Sequence, residues 1–95
     1  MATKKKADII TSSGFSCSMD ISRLDNMELI DALTVFEEGK SGSAKALSKA
    51  LTLILGDDKQ RLYDHLRTED GRVPLVDLAR ELNEIINGAK EGKNS

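Results

Sequence analysis

The sequence contains one Cys, one His and no Trp among 95 residues, and aromatic residues make up only 3% of it. Because Cys17 is the single thiol, no internal disulfide can form, and Cys17 and His65 together supply too few ligands for a structural zinc site. The apolar runs are also much shorter than the ~20 residues that span a bilayer. We therefore expect a core of aliphatic side chains, no cofactor or metal, and no membrane partner.

The length and the distribution of charge indicate one domain with polar ends. A chain of 95 residues is too short for two hydrophobic cores. Residues 7–88 carry nine Lys and Arg against fifteen Asp and Glu, a net charge of −6, whereas residues 4–6 are all Lys. We predict a disordered basic tail at 1–6, one helical domain at 7–88, and a disordered C-terminal tail at 89–95 that has little to bury.

The N-terminal part of the domain has the apolar pattern of a β-hairpin. Apolar residues occupy every second position from Phe15 to Ile21, which is typical of a half-buried strand. A second short apolar segment, 7–11, precedes it, and Gly14 between the two can adopt the positive φ of a tight turn. Two strands alone are marginally stable in water, so this hairpin must pack on helices.

The rest of the domain has the apolar spacing that is typical of amphipathic helices. We predict four helices, each bounded by a capping residue, a glycine or a proline. They run from Asp25 to Gly39, from Ser43 to Gly56, from Asp57 to the turn at Thr68–Gly71, and from Pro74 to Gly88. The second is apolar on most sides, which predicts a central position. The predicted fold is mainly α: a small four-helix domain with a short N-terminal β-hairpin or extended segment.

No group of residues in the sequence has the composition of an active site. His65 lacks a neighbouring nucleophile or second base, and we expect it on a solvated helix face. The segment around Gly71 matches a calcium loop only in part, because Leu66 stands where the first carboxylate is required and Asp77 where a longer Glu is needed. We expect a protein that is not an enzyme, with no catalytic, cofactor-binding or metal-binding residues.

Five segments occur in an order that indicates a family. They are LDNMELIDAL at 24–33, LILG at 53–56, RLYDHLR at 61–67, EDGRVP at 69–74, and the helix at 78–86 with ELNEI. In this order they resemble the tail assembly chaperones of long-tailed, siphovirus-type bacteriophages. The resemblance implies a non-enzymatic protein of the host cytoplasm, absent from the mature virion. Such a protein binds the long, helical tape-measure protein and assists assembly of the tail tube, in some cases through contact with the tail-tube protein.

The chaperone hypothesis requires apolar surface that a helical partner can cover. We expect a groove that borders the first and last helices, with methionines as adaptable contacts. The candidate partner-binding residues are Met19, Met27, Ile30, Leu33, Leu82 and Ile86. Each of them can instead belong to the core. The aliphatic surplus of the second and fourth helices also favours a homo-oligomer.

A second hypothesis is a small helical DNA-associated regulatory protein. In it, Arg61, Arg67 and Arg72 mark the recognition surface of a helix–turn–helix. The acidic body argues against this hypothesis, because DNA binding needs clustered positive charge. We therefore expect no nucleic-acid partner.

Overall fold

Two strands and four α-helices follow one another in the computed structural model, which describes residues 6–92. The elements are β1 (Lys6–Ile10), β2 (Ser16–Asp20), a 3-10 turn (Ile21–Leu24), α1 (Met27–Glu38), α2 (Ser43–Leu55), α3 (Asp58–Leu66) and α4 (Leu75–Gly92). The predicted fold class, mainly α with four helices and an N-terminal hairpin, is confirmed. The parts of the predicted tails at 1–5 and 93–95 lie outside the described residues.

The hairpin buries one face, as its alternating pattern predicts. β1 and β2 are antiparallel, and the buried pairs are Ala7 with Met19 and Ile9 with Cys17. Side chains on the other face of both strands are exposed or half-buried. Because side chains alternate between the faces of a strand, this register places the apolar residues together against the helices.

Helix α2 lies at the centre of the core, as predicted. Ala50, Leu51 and Ile54 are completely buried. Helix α1 packs along α2, whereas α4 packs chiefly on β1. The hairpin is thus held by the last helix of the chain, whereas α1 is held by the central helix.

The structure corrects the predicted start of α1 and the predicted capping hydrogen bond of α3. Asn26, not Asp25, caps α1, and its side-chain oxygen accepts a hydrogen bond from the Glu28 N–H at 2.9 Å. Asp25 instead ends the preceding 3-10 turn. Asp57 does precede α3, but its side chain makes no capping hydrogen bond. The predicted end of α1 at Gly39 is confirmed, with φ of 68°.

Two predicted boundaries between the domain and its tails are wrong. Lys6 pairs with Asp20 in the hairpin, so β1 begins one residue earlier than predicted. Helix α4 continues beyond Gly88 to Gly92, and Ala89 is completely buried. Gly88 is therefore inside the helix rather than at its end. A Cβ atom at Gly88 would lie 3.0 Å from the Cγ2 of Ile9, so the absent side chain allows close contact between α4 and β1.

Candidate partner-binding surface

Four of the six predicted partner-binding residues pack on or in the core. Met19 and Leu82 are almost completely buried, so the prediction is wrong for these two in the folded protein. Met19 lies on the inner face of the hairpin, and Leu82 lies on the core side of α4. Leu33 and Ile86 are half-buried and pack against the core cluster. All four side chains thus contribute to the core, and Leu33 and Ile86 in addition keep part of their surface exposed.

The other two residues lie on the exposed side of α1. Met27 is 64% exposed and Ile30 is 48% exposed, and Val35 is exposed as well. Their spacing puts all three within one half of the helix circumference, while the buried residues Leu29 and Ala32 face the core. Helix α1 therefore carries exposed apolar side chains opposite its buried side, where they are interspersed with Asp31, Thr34 and Glu38. We call the exposed side (Met27, Ile30 and Val35) the α1 outer face.

A groove runs beside the α1 outer face, between α1 and α2. Its volume is about 400 Å³, and it is lined by Asp31, Ala32, Val35, Gly42, Lys45, Ala46 and Lys49. Its small residues allow the backbone of another helix to approach closely. This groove borders α1 and α2, whereas the groove that we predicted borders the first and last helices; α1 packs on α2, and α4 packs chiefly on β1.

Charged residues border this groove. Lys45 and Lys49 are exposed one turn apart on α2, and Asp31 lies on the α1 side. Neither lysine forms an ion pair with any of the described residues. A partner helix with an apolar stripe and acidic residues beside it would complement both the small apolar floor and the two lysines.

A separate group of polar side chains joins the hairpin turn to α3 and α4. The Thr11 hydroxyl donates a hydrogen bond of 2.7 Å to Oε1 of Glu81, a residue that is 0% exposed. The Ser13 hydroxyl lies 3.1 Å from the Thr11 hydroxyl and 3.2 Å from Nε2 of His65. The four residues thus form one chain of polar contacts from α4 through the turn to α3.

The order of these contacts differs from that of a hydrolytic triad. A triad needs a carboxylate on the second nitrogen of the imidazole, whereas the Glu81 carboxylate is bonded to Thr11. The Nε2 atom of His65 also lies 3.1 Å from the carbonyl oxygen of Ser13, which can accept only when Nε2 carries the proton. In that tautomer Nε2 is unable to take a proton from the Ser13 hydroxyl. The cluster holds the hairpin turn against the helices.

Glu84, one turn after Glu81, binds the same turn from the surface. Its two carboxylate oxygens accept hydrogen bonds from the Ser12 N–H at 2.6 Å and from the Ser12 hydroxyl at 2.7 Å. The backbone N–H of Ser12 is the main cause that lowers the pKa of Glu84 below its ordinary value, and the Ser12 hydroxyl adds to the effect. The ionised carboxylate is therefore the form that holds the turn.

Glu84→Gln is expected to make the stability of the protein fall less steeply as the pH is lowered into the acid range. Because the pKa of Glu84 is lower in the folded than in the unfolded chain, its contribution is complete above the unfolded value of 4.5. It disappears as the pH falls through the folded pKa. Thermal unfolding followed by circular dichroism across this acid range should show a shallower fall of Tm in the variant. Glu91→Gln serves as the control, and an equal flattening in both variants would contradict the role of Ser12.

The remaining candidate groups have ordinary structural roles. Cys17 is buried, and this burial, with a smaller effect of the nearby Asp58 charge, raises the pKa of its thiol. Within residues 6–92, no three His, Cys, Asp or Glu side chains are placed to hold a metal ion. The helices in the same range include none with the length and apolar character to cross a membrane.

The three arginines of the DNA-binding hypothesis are each paired with a neighbouring carboxylate. Arg67 contacts Asp64 at 2.9 Å, and Arg72 contacts Asp70 at 2.9 Å. Arg61 lies 3.4 Å from a carboxylate oxygen of Asp58, and it also donates to a backbone carbonyl of β2. Their positive charge is largely balanced within the chain, so the structure offers no observation in favour of this hypothesis.

No family model matches the chain, and neither a curated protein nor a solved structure is significantly similar to it. The α1 outer face and the α1–α2 groove are therefore the features from which a function can be argued.

Proposed function

We propose that the chain is a non-enzymatic tail assembly chaperone of a long-tailed bacteriophage, which binds the tape-measure protein in the host cytoplasm. The observation that carries the proposal is the α1 outer face. Met27, Ile30 and Val35 are exposed on a helix whose opposite side already packs in the core. A surface helix usually directs its apolar residues toward the core, so three exposed apolar side chains on the solvent side of α1 support a role in binding.

The chemistry of a tape-measure protein fits this surface. A long helical protein without its tail tube presents apolar stripes to water, and covering them keeps the protein soluble. The α1–α2 groove offers small residues for close approach of a helix, with Lys45 and Lys49 at its edge. Acidic positions next to an apolar stripe of the tape-measure protein would pair with these lysines. Recruitment of the tail-tube protein belongs to the same proposal.

Ile30→Glu is expected to weaken capture of the tape-measure protein strongly. Burying a large aliphatic side chain contributes about 1.5–3 kcal/mol, and replacing it with a charge removes that gain and adds a desolvation cost. This corresponds to a loss of binding of about tenfold or more. The measurement is co-purification of fragments of the tape-measure protein of the same phage with tagged wild-type and variant chains.

Val76→Glu provides the matched control. Val76 is 75% exposed at the start of α4, so the same gain of charge falls on an equally apolar position away from α1. Tm values of the three proteins show that each is folded. Capture that is equal for wild type and Ile30→Glu, or that is lost with Val76→Glu as well, would contradict a binding surface on α1.

A further inference from the structure

The β-hairpin has two edges, and only the edge of β2 is partly covered by a side chain of the helices. Within the described residues the sheet has two strands, so each strand pairs on one side only. On the outer side of β2, the Arg61 guanidinium donates to the Ser16 carbonyl oxygen at 2.9 Å and lies over the Phe15 ring at 4.7 Å. The side chain of Arg61, which belongs to α3, therefore occupies the Ser16 carbonyl oxygen at this edge.

The outer side of β1 has hydrogen-bonding groups without such a cover. The Thr11 N–H donates to the Phe15 carbonyl oxygen across the hairpin, and in antiparallel strands such paired residues alternate with residues that face outward. With the observed register, Asp8 and Ile10 direct their backbone N–H and C=O groups away from β2. The described part of the chain places no hydrogen-bonding partner on these groups.

A groove follows this uncovered edge, between β1 and α4. Its volume is about 480 Å³, and its lining consists of Asp8, Ile9, Ile10, Glu84, Asn87, Gly88 and Glu91. Three of these residues carry a carboxylate, and none is Lys or Arg. Arg80 lies outside the lining, 4.0 Å from Glu84, and shares its charge with Asp77 at 3.3 Å.

The two walls of the groove differ in a way that suits an extended chain. Glu84 and Glu91 lie on the α4 side, whereas Ile10 is 77% exposed on the β1 side. A strand added to β1 would alternate its side chains between these two walls. Positive side chains would then meet the carboxylates of α4, and the intervening apolar side chains would lie next to Ile10.

We propose that the outer edge of β1 binds an extended, lysine- or arginine-containing segment of a partner protein as an added strand. Backbone hydrogen bonds to Asp8 and Ile10 supply the pairing, and Glu84 and Glu91 select positive charge. This binding site is distinct from the α1 outer face, so its test is independent of the proposed chaperone function. Substitution of Ile30 is expected to leave it unchanged.

The test uses the full chain and a short synthetic peptide of alternating lysine and valine as the probe. The corresponding glutamate–valine peptide tests the charge requirement, and a lysine–valine peptide with N-methyl groups on one edge tests the backbone pairing. We expect the lysine–valine peptide to bind and to slow hydrogen exchange of the Asp8 and Ile10 amides, measured by NMR. The other two peptides should bind at least about tenfold more weakly.

Two proline variants test which edge is used. The N–H groups of Ile10 and Ser18 both face away from the partner strand, so proline at either position removes no hydrogen bond of the hairpin. Ile10→Pro should lose about tenfold or more in affinity for the lysine–valine peptide. Ser18→Pro, the matched change on β2, should bind it as wild type does.

Several outcomes would overturn the proposal. Equal binding of the N-methylated and parent peptides would mean attraction by charge alone, and equal binding of the glutamate peptide would remove the selectivity. Absence of binding by the lysine–valine peptide to wild type contradicts the site directly. Slowed exchange at Asp8 and Ile10 that rises with protein concentration, without peptide, would assign the edge to a second copy of this chain instead.

Discussion

Gly88→Leu is expected to lower the free energy of unfolding by about 3 kcal/mol, because the new side chain must enter space that Ile9 occupies. A Cβ alone would lie 3.0 Å from the Cγ2 of Ile9 and 3.3 Å from its Cγ1. Leucine adds three more carbons, so β1 must move away from α4. The better helix propensity of leucine offsets only about 1 kcal/mol of this cost. Urea unfolding followed by circular dichroism measures the difference.

A matched variant and a double substitution separate this contact from a general effect on α4. Lys90→Leu introduces the same side chain two residues later at an exposed position, and it should change the stability by about 0.5 kcal/mol or less. In an Ile9→Ala background the space opposite Gly88 is larger, so Gly88→Leu should cost less there than in wild type. An equal cost in both backgrounds would mean that the contact with Ile9 is not what excludes a side chain.

Gly88 also illustrates why the end of α4 could not be predicted from the sequence. A glycine near the end of an apolar stripe is typical of a helix C-terminus, and Gly39 and Gly56 do follow the last residues of α1 and α2. At Gly88 the deciding factor is β1, which is about eighty residues earlier in the chain. Local sequence carries no signal of such a contact. A glycine at the end of an apolar stripe can therefore either end a helix or lie inside it at a close contact.

The periodic patterns predicted the elements well and their environment less well. Alternation from Phe15 to Ile21 correctly placed Cys17 and Met19 on one side of a strand. It did not show whether that side would be covered, and Met19 is in the core instead of at a partner surface. In α1 the apolar residues occupy both sides of the helix, so the pattern alone could not separate Ile30 from the buried Leu29.

The polar contacts of the hairpin turn were not predictable. Thr11 and Glu81 are separated by 70 residues, and Ser13 and His65 by 52. Each is an ordinary polar residue in its own segment, with no motif around it. A charged residue at position 81 had one local sign of unusual burial, because it lies between the apolar positions 78, 82 and 85 of α4. That sign identifies the side of the helix but not the hydroxyl that Glu81 meets.

Thr11→Val is expected to lower the free energy of unfolding by about 3 kcal/mol, although valine has nearly the shape of threonine. The Thr11 hydroxyl is the hydrogen-bond donor to Oε1 of Glu81, and Oε2 of this buried carboxylate has no hydrogen-bond partner within residues 6–92. Valine therefore leaves a fully buried carboxylate without a hydrogen bond from any described residue. The same Thr→Val change at the exposed Thr34 of α1 should alter stability by about 0.5 kcal/mol or less.

The double variant Thr11→Val/Glu81→Leu is expected to recover most of this loss and to unfold within about 1 kcal/mol of wild type. Removing the carboxylate together with its donor leaves two apolar side chains of similar shape. It also removes the buried Oε2 without a hydrogen bond, which destabilises the wild-type fold. Urea unfolding of the wild type, both single variants and the double variant gives the coupling between the two positions. If Thr11→Val costs no more than Thr34→Val, or if the double variant is no more stable than Thr11→Val, the buried hydrogen bond is not what stabilises the turn. A large favourable coupling would instead show that Glu81 is tolerated in the core only because the hairpin turn supplies it with a donor.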